Sequence, residues 1–198
     1  MDRPSITPGT DALEALLRET AEHLFGADAR HVVLGGKLLR PRVTLRGLYP
    51  DADTAPSDPM MAAALAIQLA HEASLLHDDV VDGAPIRRDR PTTRARDGAA
   101  AALIAGDRLL TLAYRAASST GSPSFFEGFS AAVDRTVAGE ARQGSLRGRA
   151  LTLEEYRSVI EDKSGALLGI ALAAKPLLTS RDSGTDGRES GSRAVDSA

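Results

Sequence analysis

The sequence predicts an all-α fold, a bundle of five to seven helices joined mostly by short loops. Three observations carry this expectation. Apolar residues recur at three and four over most of the chain, and no period-two run is long enough for a strand. Ala supplies 34 of the 198 residues, a small side chain with the highest helix propensity. Hydrophobic residues make up 42% and charged residues 26%, enough of each for a core and a solvated surface in one domain.

The elements follow in order. Residues 1–10 are rich in Pro, Gly, Ser and Thr and predict a flexible arm. Thr10 or Asp11 caps a helix over 11–25, with Leu13, Leu16, Leu17 and Leu24 on its apolar side. A second helix is expected over 30–48, and residues 50–59 read as a polar linker. From Met60 the period is plain: Leu65, Leu69, Ala73, Leu76 and Val80 predict a helix to about Val81 or Asp82. Residues 83–93 form a basic loop holding Pro85 and Pro91, and a helix is expected over 94–118 with Gly98 and Gly106 as weak points. After a turn at 120–124, helices are expected over 124–147 and 153–175. Residues 11–178 thus form the helical domain. The stretch 179–198 carries almost no apolar residue and predicts a disordered polar tail.

Composition excludes several functions. With Cys at 0 there is no disulfide scaffold, thiolate metal site or thiol nucleophile. A net charge of -3 argues against a nucleic-acid partner. No uninterrupted apolar run reaches the roughly 18 residues of a membrane span, and no basic-then-apolar leader is seen at the start of the sequence. The expected location is therefore cytoplasmic. The glycine spacing matches no phosphate loop or dinucleotide fingerprint, and no nucleophilic triad is recognisable.

The strongest chemical signal is His77-Asp78-Asp79-Val80-Val81-Asp82. Asp78 and Asp82 are one helical turn apart, so both carboxylates share a face at the helix end that the macrodipole disfavours for acids. Hard oxygen ligands in that arrangement suit Mg²⁺ held together with substrate phosphates. Arg87-Arg88-Asp89-Arg90 follows closely and supplies the guanidinium groups that a diphosphate requires. The plainer reading is a solvated helix end next to a surface salt-bridge network. Lys37 and Arg40, after Gly35-Gly36, form a second basic pair whose spacing places both on one helix face. A glycine pair at a loop end explains the same residues. His71 lies two turns before Asp78 and also fits a hydrogen-bonded core histidine. Lys163, in a mostly apolar helix, either snorkels to solvent or reaches an anionic ligand in the bundle centre.

Taken together, these residues resemble the all-trans polyprenyl (isoprenyl) diphosphate synthases. Four blocks match in order: Gly35-Gly36-Lys37-x-x-Arg40-Pro41; His71-Glu72-x-Ser74-Leu75-x-His77-Asp78-Asp79-x-x-Asp82 with Arg87-Arg88 and Pro91; Gly106-Asp107-x-Leu109; and Gly139-Glu140-x-x-Gln143. A fifth, Lys163-Ser164-Gly165-x-Leu167, is similar to the family's Lys-Thr block. The resemblance implies an antiparallel helical bundle around a deep central cavity, and condensation of isopentenyl diphosphate with an allylic diphosphate by ionisation, condensation and proton loss. It implies that Asp78 and Asp82 bind Mg²⁺ with Asp79 supporting them, and that Arg87 and Lys163 reach the allylic diphosphate, with Ser164 and Gln143 nearby. Gly36, Lys37, Arg40, His71 and Arg88 would hold isopentenyl diphosphate. Ala73 and Ser74, small residues just ahead of the acid pair, imply a product longer than the fifteen-carbon one. A homodimer, or pairing with a full-length synthase, is expected.

The chain departs from the family in one main respect. Members are longer and carry a second aspartate-rich motif beyond the Lys block, which completes the metal site. Here the sequence passes after Pro176 into the polar stretch, and Gly184 and Gly187 interrupt any helix that would bring Asp182 and Asp186 together. Asp89 also stands where Gly is common. The chain is thus expected to stop before the second motif. Two alternatives remain: a non-catalytic or regulatory subunit, against which the intact first motif speaks, and a class I terpene cyclase relative, which would lack the Gly-Gly-Lys block and the double Arg.

Overall fold

The computed structural model describes residues 10–34, 36–48 and 57–179, the side chains of 46–48 excepted. Helix α1 (Thr10–Phe25) buries Leu13, Leu17, Ala21 and Phe25, one residue per turn along a single stripe. Gly26, at φ +54°, ends it, and one 3₁₀ segment (Gly26–His31) follows. Asp28 in that segment accepts Arg108 at 2.5 Å and Arg115 at 2.9 Å. Helix α2 spans only Leu39–Leu48, not the expected 30–48. Gly36 (φ +73°) and Leu38 (φ +48°) hold the preceding backbone in the left-handed region, which no right-handed helix can traverse.

Helix α3 (Asp58–Val81) is the axis of the molecule. Ala62, Ala63, Ala64, Ala66, Ala70 and Ala73 are all buried on it. Such small side chains let neighbouring helices approach closely. Its main neighbour is α5 (Ala99–Ser119), which buries Ala102, Ala113, Ala116 and Ala117 in return. Leu65, Ile67 and Leu69 are fully buried, each contributing about 1.5–3 kcal/mol of transfer free energy. By length and apolarity α3 would suffice to cross a membrane, but 72% of its most apolar window is buried inside the bundle.

The basic loop contains a minimal hairpin that the sequence did not announce, since its strands β1 (Ile86–Arg87) and β2 (Arg90–Pro91) are too short to alternate. Arg88 and Asp89, at φ +50° and +60°, form its two-residue turn of the mirror-image type that matches strand twist. Thr92 caps the short helix α4 (Thr93–Asp97), accepting Ala95 N at 3.1 Å. Gly98, at φ +93°, separates α4 from α5, so the helix expected over 94–118 is two. Helix α6 (Pro123–Ser145) begins under the Ser122 cap and packs on α8 (Ala166–Thr179). Helix α7 (Leu153–Ile160) opens with a capping box, Thr152 with Glu155. Between α7 and α8 lies one π-helical turn, Glu161–Gly165, inside the helix expected over 153–175. Pro176 does not end α8; the Ser122 hydroxyl donates to the Leu177 carbonyl at 2.7 Å. The expected arm and tail lie outside the described residues, apart from Thr10 and Thr179, which are both helical.

Candidate active site

The last three turns of α3 carry polar side chains on two faces, and each face opens into its own cavity. His71, Ser74 and Asp78 line the first, of about 410 Å³, with Glu140 from α6 and Lys163 and Ser164 from the π turn. Glu72, Leu76 and Asp79 line the second, of about 460 Å³, with Gly36, Arg87, Arg88 and Arg90. The division follows from helix geometry, because adjacent residues point about 100° apart.

In the first cavity Lys163 Nζ lies 3.3 Å from Asp78 Oδ2 and pairs with Glu140. Burial pushes the Asp78 carboxyl up to about 6, Glu140 beside it adds to the rise, and Lys163 opposes it. Burial would lower the Lys163 ammonium, yet Glu140 and Asp78 together hold it above its ordinary value. Gly139 makes this meeting possible. A Cβ there would fall 2.5 Å from the Lys163 backbone N and 2.9 Å from Asp162 Cβ, so α6 touches the π turn backbone to backbone. Similarly, a side chain at Gly106 would occupy the space of the His77 ring, whose Nε2 is 3.2 Å from Asp107 Oδ1.

In the second cavity Arg87 Nε donates to Asp79 Oδ1 at 2.8 Å, and Asp79 is only 3% exposed. Arg88 lies 3.8 Å from Glu72, which accepts Gln68 at 2.8 Å. Burial raises the Glu72 carboxyl, with Arg88 acting against it. Arg88 also lies over Gly36, where a Cβ would come within 2.9 Å of its guanidinium, so the first two sequence blocks meet here. Arg40 lines the first cavity, and its guanidinium is lowered by burial, partly offset by Glu72. The His71 imidazole is lowered to about 3 by burial and then by Arg40, Arg88 and Arg87, and is therefore neutral near pH 7.

The structure thus gathers Asp78, Lys163, Ser164, His71 and Arg40 on one side of α3, and Gly36, Asp79, Arg87 and Arg88 on the other. Gln143 lines an adjoining hollow of about 360 Å³ with Lys163 and Ser164. Three placements differ from expectation. Lys37 is exposed in the turn before α2, off the helix face it was expected to share with Arg40, because the helix starts at Leu39. Asp79 faces away from Asp78. Asp82 is the residue that ends α3, and it pairs with Arg147. Glu72, Glu140 and Arg147 join the site without having been assigned a role; the first two stand inside matched blocks, whereas nothing in the sequence marked Arg147.

For a divalent cation, Asp78, Glu140 and Asp82 offer hard oxygen donors, and Glu140 Oε1 is buried without a hydrogen-bond partner. Among the described residues no three acidic or histidine side chains converge on one point. The donor set therefore fits Mg²⁺ bound by one or two carboxylates together with diphosphate oxygens, not a cage built of protein alone.

Comparison with known proteins bears on the family and the fold. The family model for polyprenyl synthetase matches residues 22–190. A nonaprenyl diphosphate synthase of Mycobacterium tuberculosis is 32% identical over 163 residues, which cover 80% of this chain and 45% of that protein. An octaprenyl diphosphate synthase of Escherichia coli is 34% identical over 145 residues, 73% of this chain and 44% of that protein. The chain thus spans about half the length of the curated relatives it matches. Among solved structures, an isoprenoid synthase family member from Thermotoga neapolitana superposes with a TM-score of 0.74 at 29% identity, covering 88% of this chain and 70% of that one. A polyprenyl synthase from Caulobacter crescentus, complexed with calcium and isoprenyl diphosphate, gives 0.69 at 28% identity over 85% of this chain and 52% of that one. With a family model matching most of its length and relatives 32% and 34% identical to it, the chain belongs to the polyprenyl synthetase family.

Proposed function

We propose that this chain is the diphosphate-binding half of a Mg²⁺-dependent prenyltransferase that condenses isopentenyl diphosphate with an allylic diphosphate in the cytoplasm. The observation that carries the reading is the pair of charged cavities on either side of α3, one with Asp78 and Lys163 and one with Arg87 and Arg88. Asp78 and Asp82 would hold Mg²⁺, which supplies positive charge against the departing diphosphate. Lys163, with Ser164 and Gln143 nearby, binds the allylic diphosphate. Arg87, fixed by Asp79, approaches it from the second cavity. Arg40, Arg88 and Gly36 hold isopentenyl diphosphate, with Lys37 at the exposed rim. His71, neutral among three guanidiniums, hydrogen-bonds without adding a like charge. Ser74 lines the first cavity as a small residue, consistent with a product longer than fifteen carbons.

The 198 residues hold one aspartate-rich block. We therefore propose that chain elongation uses further carboxylates facing Asp78, from more of the same polypeptide or from a partner subunit, either a second copy or a full-length synthase. Calorimetry with Mg²⁺ and an uncleavable allylic thiodiphosphate tests the binding half. Binding that requires Mg²⁺ and disappears in Asp78→Ala supports the reading. A folded chain that binds no diphosphate in the presence of Mg²⁺ refutes it. Incubation with isopentenyl and allylic diphosphates, with and without a full-length synthase, then shows whether elongation needs the partner.

A further inference from the structure

Helix α6 carries a notch flanked by two cations. Arg135, Gly139 and Arg142 stand four and three residues apart, on one face. Asp162 sits in this notch. Its Oδ1 accepts Arg135 Nε at 3.1 Å and Nη2 at 2.9 Å, and Arg142 Nη1 lies 3.3 Å from its Oδ2. The Asp162 side chain is 17% exposed, whereas the two arginines are 56% and 47% exposed. The buried partner is thus the acid, and the cations close over it from outside. Asp162 is the second of the five residues of the π turn, a segment whose hydrogen-bond pattern departs from the helices on either side. The next residue is Lys163, whose ammonium reaches Asp78 and Glu140 across the first cavity. Glu140 itself follows Gly139. Two consecutive residues of the turn therefore engage two consecutive residues of α6, one pair at the notch and one at the cavity.

We propose that Asp162, gripped by Arg135 and Arg142, is a positioning residue that fixes the backbone of the π turn and so holds the Lys163 ammonium in the cavity. This rests on the reading of Lys163 as a diphosphate ligand. A lysine has a long flexible stem, and its value as an anion ligand depends on how little freedom remains to be lost on binding. Neither arginine lines the cavity, so their effect on a ligand there runs through Asp162.

The chain has three lysines, Lys37, Lys163 and Lys175. Selective ¹³C-lysine labelling therefore gives three side-chain Cε–Hε signals, assigned with Lys37→Arg and Lys175→Arg. In Asp162→Asn, the Lys163 signal should move toward that of exposed Lys37, and affinity for inorganic pyrophosphate should fall roughly ten-fold as a preorganised charge-assisted contact is lost. Should that variant fail to fold, the double variant Arg135→Gln/Arg142→Gln removes the same grip from the exposed side and should behave alike. Arg135→Lys/Arg142→Lys should restore much of the signal position and the affinity. A folded variant whose Lys163 signal and pyrophosphate affinity match the wild type overturns the proposal. A wild-type Lys163 signal that ignores pyrophosphate but still moves in the variants upholds the positioning role and refutes instead the reading of Lys163 as a diphosphate ligand.

Discussion

Gly139→Ala sets two effects against each other within one helix. Alanine in a helix interior gains about 0.5–1 kcal/mol over glycine, chiefly by restricting the unfolded chain. At position 139 the added Cβ would lie 2.5 Å from the Lys163 backbone N and within 3.0 Å of Asp162 Cβ and carbonyl C. Backbone atoms cannot swing aside as a side-chain tip does, so the helix and the turn must separate, at about 1–3 kcal/mol for overpacking. The clash outweighs the propensity gain, and a net loss of about 1–2 kcal/mol is expected, or about 3–6 °C in Tm for a domain of this size. Gly169→Ala in α8 is the control, because a Cβ there meets nothing within 4 Å and the backbone is helical. That variant should gain about 1–3 °C from propensity alone. Thermal unfolding followed by circular dichroism reads both. A Gly139→Ala protein as stable as Gly169→Ala would mean that α6 and the π turn do not touch, and the placement of Lys163 opposite Glu140 would lose its basis.

Three further outcomes follow from the charges and the backbone. His71 has a folded pKa of about 3, below its unfolded value, so its contribution is complete above about pH 6.5 and is lost as pH falls. At pH 5.5 the unfolded chain has bound a proton the folded chain refuses, which costs about 1.4 kcal/mol; His71→Gln should remove about that much of the stability difference between pH 7.5 and 5.5 in urea titrations, while the opposite-signed effect of Asp78 stays common to both proteins. Asp89→Gly should stabilise the hairpin by about 0.5–1 kcal/mol, because φ +60° suits glycine better than aspartate; an unchanged urea midpoint would remove the strain argument. At pH 7.5, Asp78→Asn should raise Tm by relieving a buried carboxylate set against Glu140. Asp79→Asn should lower stability by about 1–3 kcal/mol by removing the buried negative charge that pairs with Arg87, and equal signs for the two variants would contradict their placement in different cavities.

The helices were legible because burial imposes a period on the sequence. The Leu65, Leu69, Ala73, Leu76 repeat marks α3 to within a residue or two of its observed bounds. What escaped notice was set by backbone states and tertiary contacts that leave no period. A two-residue strand cannot alternate, so the Arg87–Arg90 hairpin read as loop. The positive φ at Leu38 carries no compositional warning, since leucine rarely adopts it, and the start of α2 was placed too early. The π turn at Glu161–Gly165 lies within a continuous apolar pattern, and only packing against Gly139 distinguishes it. At the site, residue identity was easier to read than direction. Lys163, Asp78 and Arg40 were named from the sequence and converge, whereas the pairing of Asp82 with Arg147 links residues 65 apart that no local pattern relates.

The doubled aspartate shows most clearly why direction matters. If Asp78 and Asp79 served one ligand together, two adjacent helical side chains would have to point the same way, which helix geometry forbids. The fold instead uses the roughly 100° between them. Asp78 enters a cavity where its ionised form is disfavoured by burial and by Glu140, so a cation there gains from relieving an existing cost. Asp79 enters the other cavity, where its carboxylate is spent on holding Arg87. One acid thus shares the Lys163 ammonium with Glu140 while its neighbour holds Arg87, and the two cations stand on different faces of the same helix. Helix α3 is thus both the core of the bundle and the wall between two charged cavities. Its small buried alanines let that wall pack tightly enough against α5 for its last two turns to hold side chains of opposite purpose a single residue apart.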